Sequence, residues 1–102
     1  MAAENAMRSS ADVETASAHD YVTRLSKHFA HKIDVEVGDG RATFRFSCGT
    51  AYLVARDDGL SIMTEAPDAE GRAATEEVVE SHLLRFAHRE SLPPLRWIRT
   101  PS

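Results

Sequence analysis

Apolar residues change their spacing three times along this chain. Ala18, Tyr21, Val22, Leu25 and Phe29 recur every three or four residues, behind Ser17-Ala-His-Asp20, an N-cap with an acidic residue at the third helical position. The spacing predicts a first helix over 18–31. The period then drops to two, with Ile33, Val35 and Val37 turned inward and Asp34 and Glu36 outward. Residues 41–46 alternate again, burying Ala42, Phe44 and Phe46, and two further strands are expected over 50–56 and 60–65. Gly38-Asp-Gly40, Ser47-Cys-Gly49 and Asp57-Asp-Gly59 supply the turns, so the four runs read as an antiparallel meander. Pro67-Asp68 opens a second helix, which Ser91, Pro93 and Pro94 stop, and residues 95–99 form a last short strand kept to an edge by those prolines.

The order α-β-β-β-β-α-β gives two amphipathic helices that must each bury a stripe and a sheet with one apolar face. The expected fold is an α+β two-layer sandwich, a four- to five-stranded antiparallel sheet with both helices on one side. Residues 1–16 are small and polar and are expected to be a disordered N-terminal tail, leaving 17–99 as a single α+β domain.

Composition narrows the partners. The chain has 102 residues, a net charge of -4 and one cysteine, Cys48. An acidic balance argues against nucleic acid, which is held through Lys and Arg. A lone cysteine excludes an internal disulfide framework and fits a reducing cytosol. The N-terminus lacks an apolar h-region and no run reaches the length of a membrane span, so a cytoplasmic protein without membrane insertion is expected.

The sheet's outer face raises a sharper question. Strands one and two show Asp34, Glu36, Arg41, Thr43 and Arg45 there, which is solvent chemistry. Tyr52, Val54 and Met63 then make half of that face apolar, with Ile98 or Trp97 joining from the last strand. A fully solvated sheet does not carry such a patch. Its expected cover is a second copy of the chain, a protein partner or a flat ligand; the alternative is that the chain's own termini fold across it.

Three clusters could carry chemistry. At about 100° per residue, His28 lies about 60° from the core line of the first helix and His31 about 120°, while His82 lies about 60° from that of the second. If these flanks meet, His28, His31 and His82 form a three-histidine set of the zinc or iron type, and haem is a further cofactor such a set could serve. Otherwise His28 and His82 are packed interfacial residues and no cofactor is expected. Lys32, Arg85 and Arg89, with Arg96 and Arg99 nearby in sequence, could cradle a carboxylate or phosphate, or else pair with the acids of the second helix or Glu90. Those acids, Asp68, Glu70, Glu76, Glu77 and Glu80, precede Arg85, His88 and Arg89 and so complement the helix dipole; Glu76 and Glu80 read as solvated surface. Cys48 has no base fixed near it by sequence, and phosphate loops, nucleophile elbows and CxxC pairs are absent. An enzyme is not expected.

The stretches "KHFAHKIDVEV", "VVESHLLRFAHRE" and "LRW" resemble, in order and spacing, a bacterial family known as domain of unknown function 2218. The resemblance covers roughly 18–99, and the family's recurring positions fall on His28, Phe29, His31, Lys32, His82, Leu83, Phe86, Glu90 and Trp97. It implies a small accessory or binding module in the setting of iron–siderophore utilisation, without an assigned activity. The chain departs from that pattern at Arg72 and Thr75, where apolar residues are usual on the inward stripe, so the first turn of the second helix is expected to pack loosely. His88 stands where an aromatic is usual, which argues against catalysis by that histidine.

Overall fold

The chain folds in the order β1 (Met7–Glu14), α1 (Ala18–Ala30), β2 (Asp34–Gly38), β3 (Arg41–Arg45), β4 (Thr50–Ala55), β5 (Gly59–Ala66), α2 (Ala69–Phe86) and β6 (Ile98–Thr100) in a computed structural model that describes residues 6–101. All strand pairs are antiparallel and the sheet order is β2-β3-β4-β5-β1-β6, with both helices against one face. The α+β sandwich and the meander β2 to β5 match the alternating pattern. The strand count does not: the sheet has six strands.

The added strand is β1. Residues 7–14, expected in the N-terminal tail, pair with β5 along their whole length, from Met7 opposite Ala66 to Glu14 opposite Gly59. Residues 1–5 of the expected tail lie outside the described residues. The inward side chains of β1 are Ser9, Ala11 and Val13, too small to announce a buried strand. Ser9 is buried because its hydroxyl meets that of Thr64, so a hydrogen bond replaces apolar burial as the cue.

Leu25, Phe44, Leu53, Ile62, Val79 and Leu83 are all fully buried between the layers. Val37 is the exception among the expected inward residues. It pairs with buried Ala42 and so lies on the helix side, but β2 is an edge strand and leaves it 63% exposed. The β2–β3 turn needs Gly40, at φ +69°, a conformation costly for side-chain-bearing residues. Gly49 is needed for closeness: an added Cβ would stand 2.5 Å from Thr75 Oγ1, pushing the β3–β4 turn off α2.

Asp68 caps α2 by accepting from Gly71 N at 2.6 Å. Ser17 occupies the N-cap of α1 without a side-chain cap bond; its N–H instead donates to Thr15 Oγ1 at 3.0 Å. The inward start of α2 is not loose. Arg72 and Thr75 are 5% and 0% exposed, and Thr75 Oγ1 donates to Gly71 O at 2.8 Å.

Candidate functional site

The register of six strands builds the outer face. Glu36, Thr43, Tyr52, Met63, Ser10 and Ile98 are successive cross-strand partners from β2 to β6, so they form one row across the sheet. Tyr52, Met63 and Ile98 are 36%, 54% and 71% exposed, and Val54, diagonal to the row, is 39% exposed. A shallow groove of about 300 Å³ runs along it, lined by Tyr52, Met63 and Ile98 with Arg8, Glu65 and Thr100 at the margin. Trp97, the alternative to Ile98, turns the other way and donates its Nε1–H to Glu80 at 2.9 Å.

Polar pairs border this stripe. Arg8 meets Glu65 at 3.0 Å, Arg45 meets Asp34 at 3.0 Å and Glu36 at 2.6 Å, and Ser61 donates to Asp12 at 2.9 Å. The arrangement is an apolar centre with a polar rim. The terminal segments, the alternative cover, are β1 and β6, strands of the sheet itself, and neither lies across the face among the described residues.

The histidine set comes together in part. His28 on α1 and His82 on α2 meet with ring centroids 4.8 Å apart and planes tilted by 44°, among Phe29 and Phe86. His82 Nδ1 lies 2.7 Å from Val78 O, so the proton on Nδ1 makes that bond. His28 Nε2 is buried without a hydrogen-bond partner. His31, at the C-cap of α1, is exposed, and no group of three or more His, Cys, Asp or Glu among the described residues could hold a metal ion. The alternative three-histidine set, His28, His31 and His82 for zinc, iron or haem, is not brought together among the described residues: His31 lies round the helix from the flank that meets α2.

Burial pushes the His28 imidazole below its ordinary value, and the charges of His82, Lys32, Arg85 and His31 act in the same direction. A depressed folded value means that protonation favours the unfolded chain. Stability is therefore full above about pH 6.5, the unfolded value, and falls as pH drops below it. His28→Phe, which suits the aromatic surroundings, is expected to flatten this slope, measured as thermal midpoint against pH between 7.5 and 5. An unchanged slope would show that His28 does not carry it.

Lys32 and Arg85 both lie within electrostatic reach of His28. Lys32, Arg85 and Arg89 are exposed and none forms an ion pair among the described residues. Arg99 leaves that cluster: its Nε and a terminal nitrogen hold Glu76 at 3.0 and 2.5 Å. Glu76 is 3% exposed, which corrects its reading as solvated surface. Burial pushes its carboxyl up, but the Arg99 guanidinium, a hydrogen bond from Ser9 and the charge of Arg72 outweigh that and hold it below the usual carboxylate range. Glu80 is corrected likewise, accepting from Leu95 N at 2.9 Å and from Trp97. Arg72 completes the strap by donating to Pro101 O at 2.6 Å and Arg8 O at 3.2 Å.

Sequence reading missed this strap, although the signal was there. Arg72, Glu76, Val79 and Leu83 share one inward stripe, and position on that stripe outweighed charge. Cys48 sits in the β3–β4 turn with Sγ 3.4 Å from Thr75 Oγ1, a hydroxyl and not a base. Glu90 accepts from Tyr21 and, at 2.7 Å, from Thr15, tying the end of α2 to α1; burial and Glu90 push the Tyr21 hydroxyl up to about 12.

Comparison with known proteins agrees with this fold. The chain is similar to the NMR structure of PA4090 from Pseudomonas aeruginosa, at 37% identity over 90% of this chain and 95% of that one, with a TM-score of 0.77. No curated protein matches. A family model for an uncharacterised protein conserved in bacteria matches residues 10–98, beginning inside β1. Seven of the nine recurring motif positions have structural partners here: Phe29 and Leu83 in the core, Phe86 and the paired His28 and His82 beside it, Glu90 on Tyr21, and Trp97 on Glu80. With the motifs, the fold and the family match in agreement, the chain belongs to the bacterial family of domain of unknown function 2218.

Proposed function

We propose that this domain is a non-enzymatic binding module whose outer sheet face docks a second copy of the chain. The observation that carries the reading is the exposed row of Tyr52, Met63 and Ile98 with Val54, flanked by charge and left open by both terminal strands. Six strands about 4.8 Å apart, up to eight residues long, offer a face on the order of the 800 Å² per partner of a standard interface.

The charges also suit a two-fold arrangement, in which one patch must complement itself. A two-fold axis along the apolar row places Arg8 of one copy opposite Asp12 of the partner subunit, since the two flank Ser10 on β1. Arg41 then meets Arg45 of the partner subunit, whose charge is already matched by Asp34 and Glu36. The setting that family resemblance suggests for such a module is iron–siderophore utilisation, as an accessory and not a catalyst.

Light scattering at micromolar concentration is expected to report twice the 11.3 kDa chain mass. Met63→Glu, at a half-exposed position, should return the monomer with an unchanged circular dichroism spectrum. A monomeric parent, or a dimer indifferent to Met63→Glu and to Tyr52→Glu, overturns the reading.

A further inference from the structure

The open edge of β1 is a separate surface. β6 pairs with β1 only from Arg8 to Ser10, although β1 continues to Glu14 against β5. Residues 92–96 run past the remaining half of β1 without pairing to it, leaving a slot of about 470 Å³ between Asp12, Val13 and Glu14 on one wall and Leu92, Pro93 and Pro94 on the other. The sequence explains why this gap does not close. Pro93 and Pro94 have no N–H to give a sheet. Leu95 N–H is taken by Glu80 on α2, at 2.9 Å, which draws the segment away from the strand.

The backbone on the β1 side is ready to pair. Along a strand, successive residues turn their N–H and C=O to opposite edges. Thr15 N–H donates to Asp58 O on the β5 side, so Asp12 and Glu14, three and one residues away, turn theirs into the slot. Among the described residues no backbone partner meets them there. An exposed edge with unpaired main-chain groups is a template for another strand. Here the prolines opposite supply an apolar wall and exclude the chain's own segment.

We infer that this slot binds an extended peptide segment of a partner protein by strand addition to Asp12–Glu14, with preference for a segment whose side chains alternate basic and apolar. Main-chain bonds to β1 supply the affinity, and alternate side chains supply the choice. The slot volume falls within the range of about 300–1,000 Å³ typical of ligand sites. The exposed carboxylates Asp12 and Glu14 stand against a single Arg96 in the lining, and that imbalance selects Lys or Arg at alternate positions. The main-chain pairing does not depend on the outer-face dimer, because the edge groups of β1 point along the sheet and not out from its face. In that dimer Asp12 faces Arg8 of the partner subunit, and Glu14 carries the charge preference.

The probe is a synthetic hexapeptide of alternating Val and Lys, titrated into the intact protein labelled with ¹⁵N. Saturable shifts are expected at the Asp12 and Glu14 amides and through residues 92–96. N-methylation of alternate peptide residues should abolish them, because it removes the pairing N–H groups. Glu14→Lys should weaken binding at least tenfold, and a Val–Glu peptide should not bind the parent. In the free protein, the Asp12 and Glu14 amides should exchange with solvent faster than those of Ala11 and Val13. Protected Asp12 and Glu14 amides, no shift up to millimolar peptide, or equal binding by the N-methylated peptide would each overturn the inference.

Discussion

Phe44→Ala is expected to cost about 3–5 kcal/mol, the range for truncating a buried aromatic. Phe44 is fully buried on β3, with its ring 5.2 Å from that of Phe29 on α1 and 6.3 Å from that of Phe46. Its removal leaves a cavity where α1 meets the sheet, and Phe29 loses one of its ring contacts while keeping those to Phe46, His28 and His82. Native domains of this size hold only about 5–15 kcal/mol in all, so this one change uses a large share. Urea unfolding should show a lower midpoint with an unchanged slope. A loss under about 1 kcal/mol would mean that the core does not close around this ring as observed.

Glu76→Ala is expected to cost about 2–3 kcal/mol, below the usual cost of about 3–5 kcal/mol for breaking a buried ion pair, because Arg99 is half-exposed and can turn to water. The loss has a direction in pH. The folded Glu76 carboxyl lies below its ordinary value of 4.5, so its contribution is full above pH 4.5 and fades as pH falls through the lower folded value. That window is more acidic than the one His28 governs, and the two variants should separate them. Since Glu76 holds Arg99 of β6 and also meets Ser9 of β1, hydrogen exchange should quicken at residues 8–10 and 98–100 before the rest of the sheet. Uniform exchange across the sheet would mean that the strap is not what holds the terminal strands.

The meander and both helices were legible because their side chains are large and periodic. Val35 and Phe44 alternate with polar residues, Leu53 and Ile62 lie in short β-rich runs bounded by turn residues, and Leu25, Phe29, Val79 and Leu83 recur at helical spacing. The turn glycines marked the hairpins for the same local reason. The outer-face stripe was also legible: Tyr52, Val54 and Met63 read as outward and apolar from alternation alone, and all three are exposed. Where reading failed, polar contacts between distant segments decided the outcome. β1 is a strand because β5 offers it an edge and Thr64 offers Ser9 a hydroxyl, 55 residues away in sequence.

By itself the sequence determined the two helices, the four-strand meander and the large apolar residues of the core, since each follows from residues within a few positions of one another. Its three spaced motifs marked the family. Only the tertiary structure decided which charges are buried, which strand edge is left open and which histidines meet. Glu76 and Glu77 are neighbours with the same side chain, yet one is buried on Arg99 and the other faces water, because the helix turns about 100° between them. His28 and His31 separate for the same reason: helix geometry turns one towards His82 and the other towards solvent.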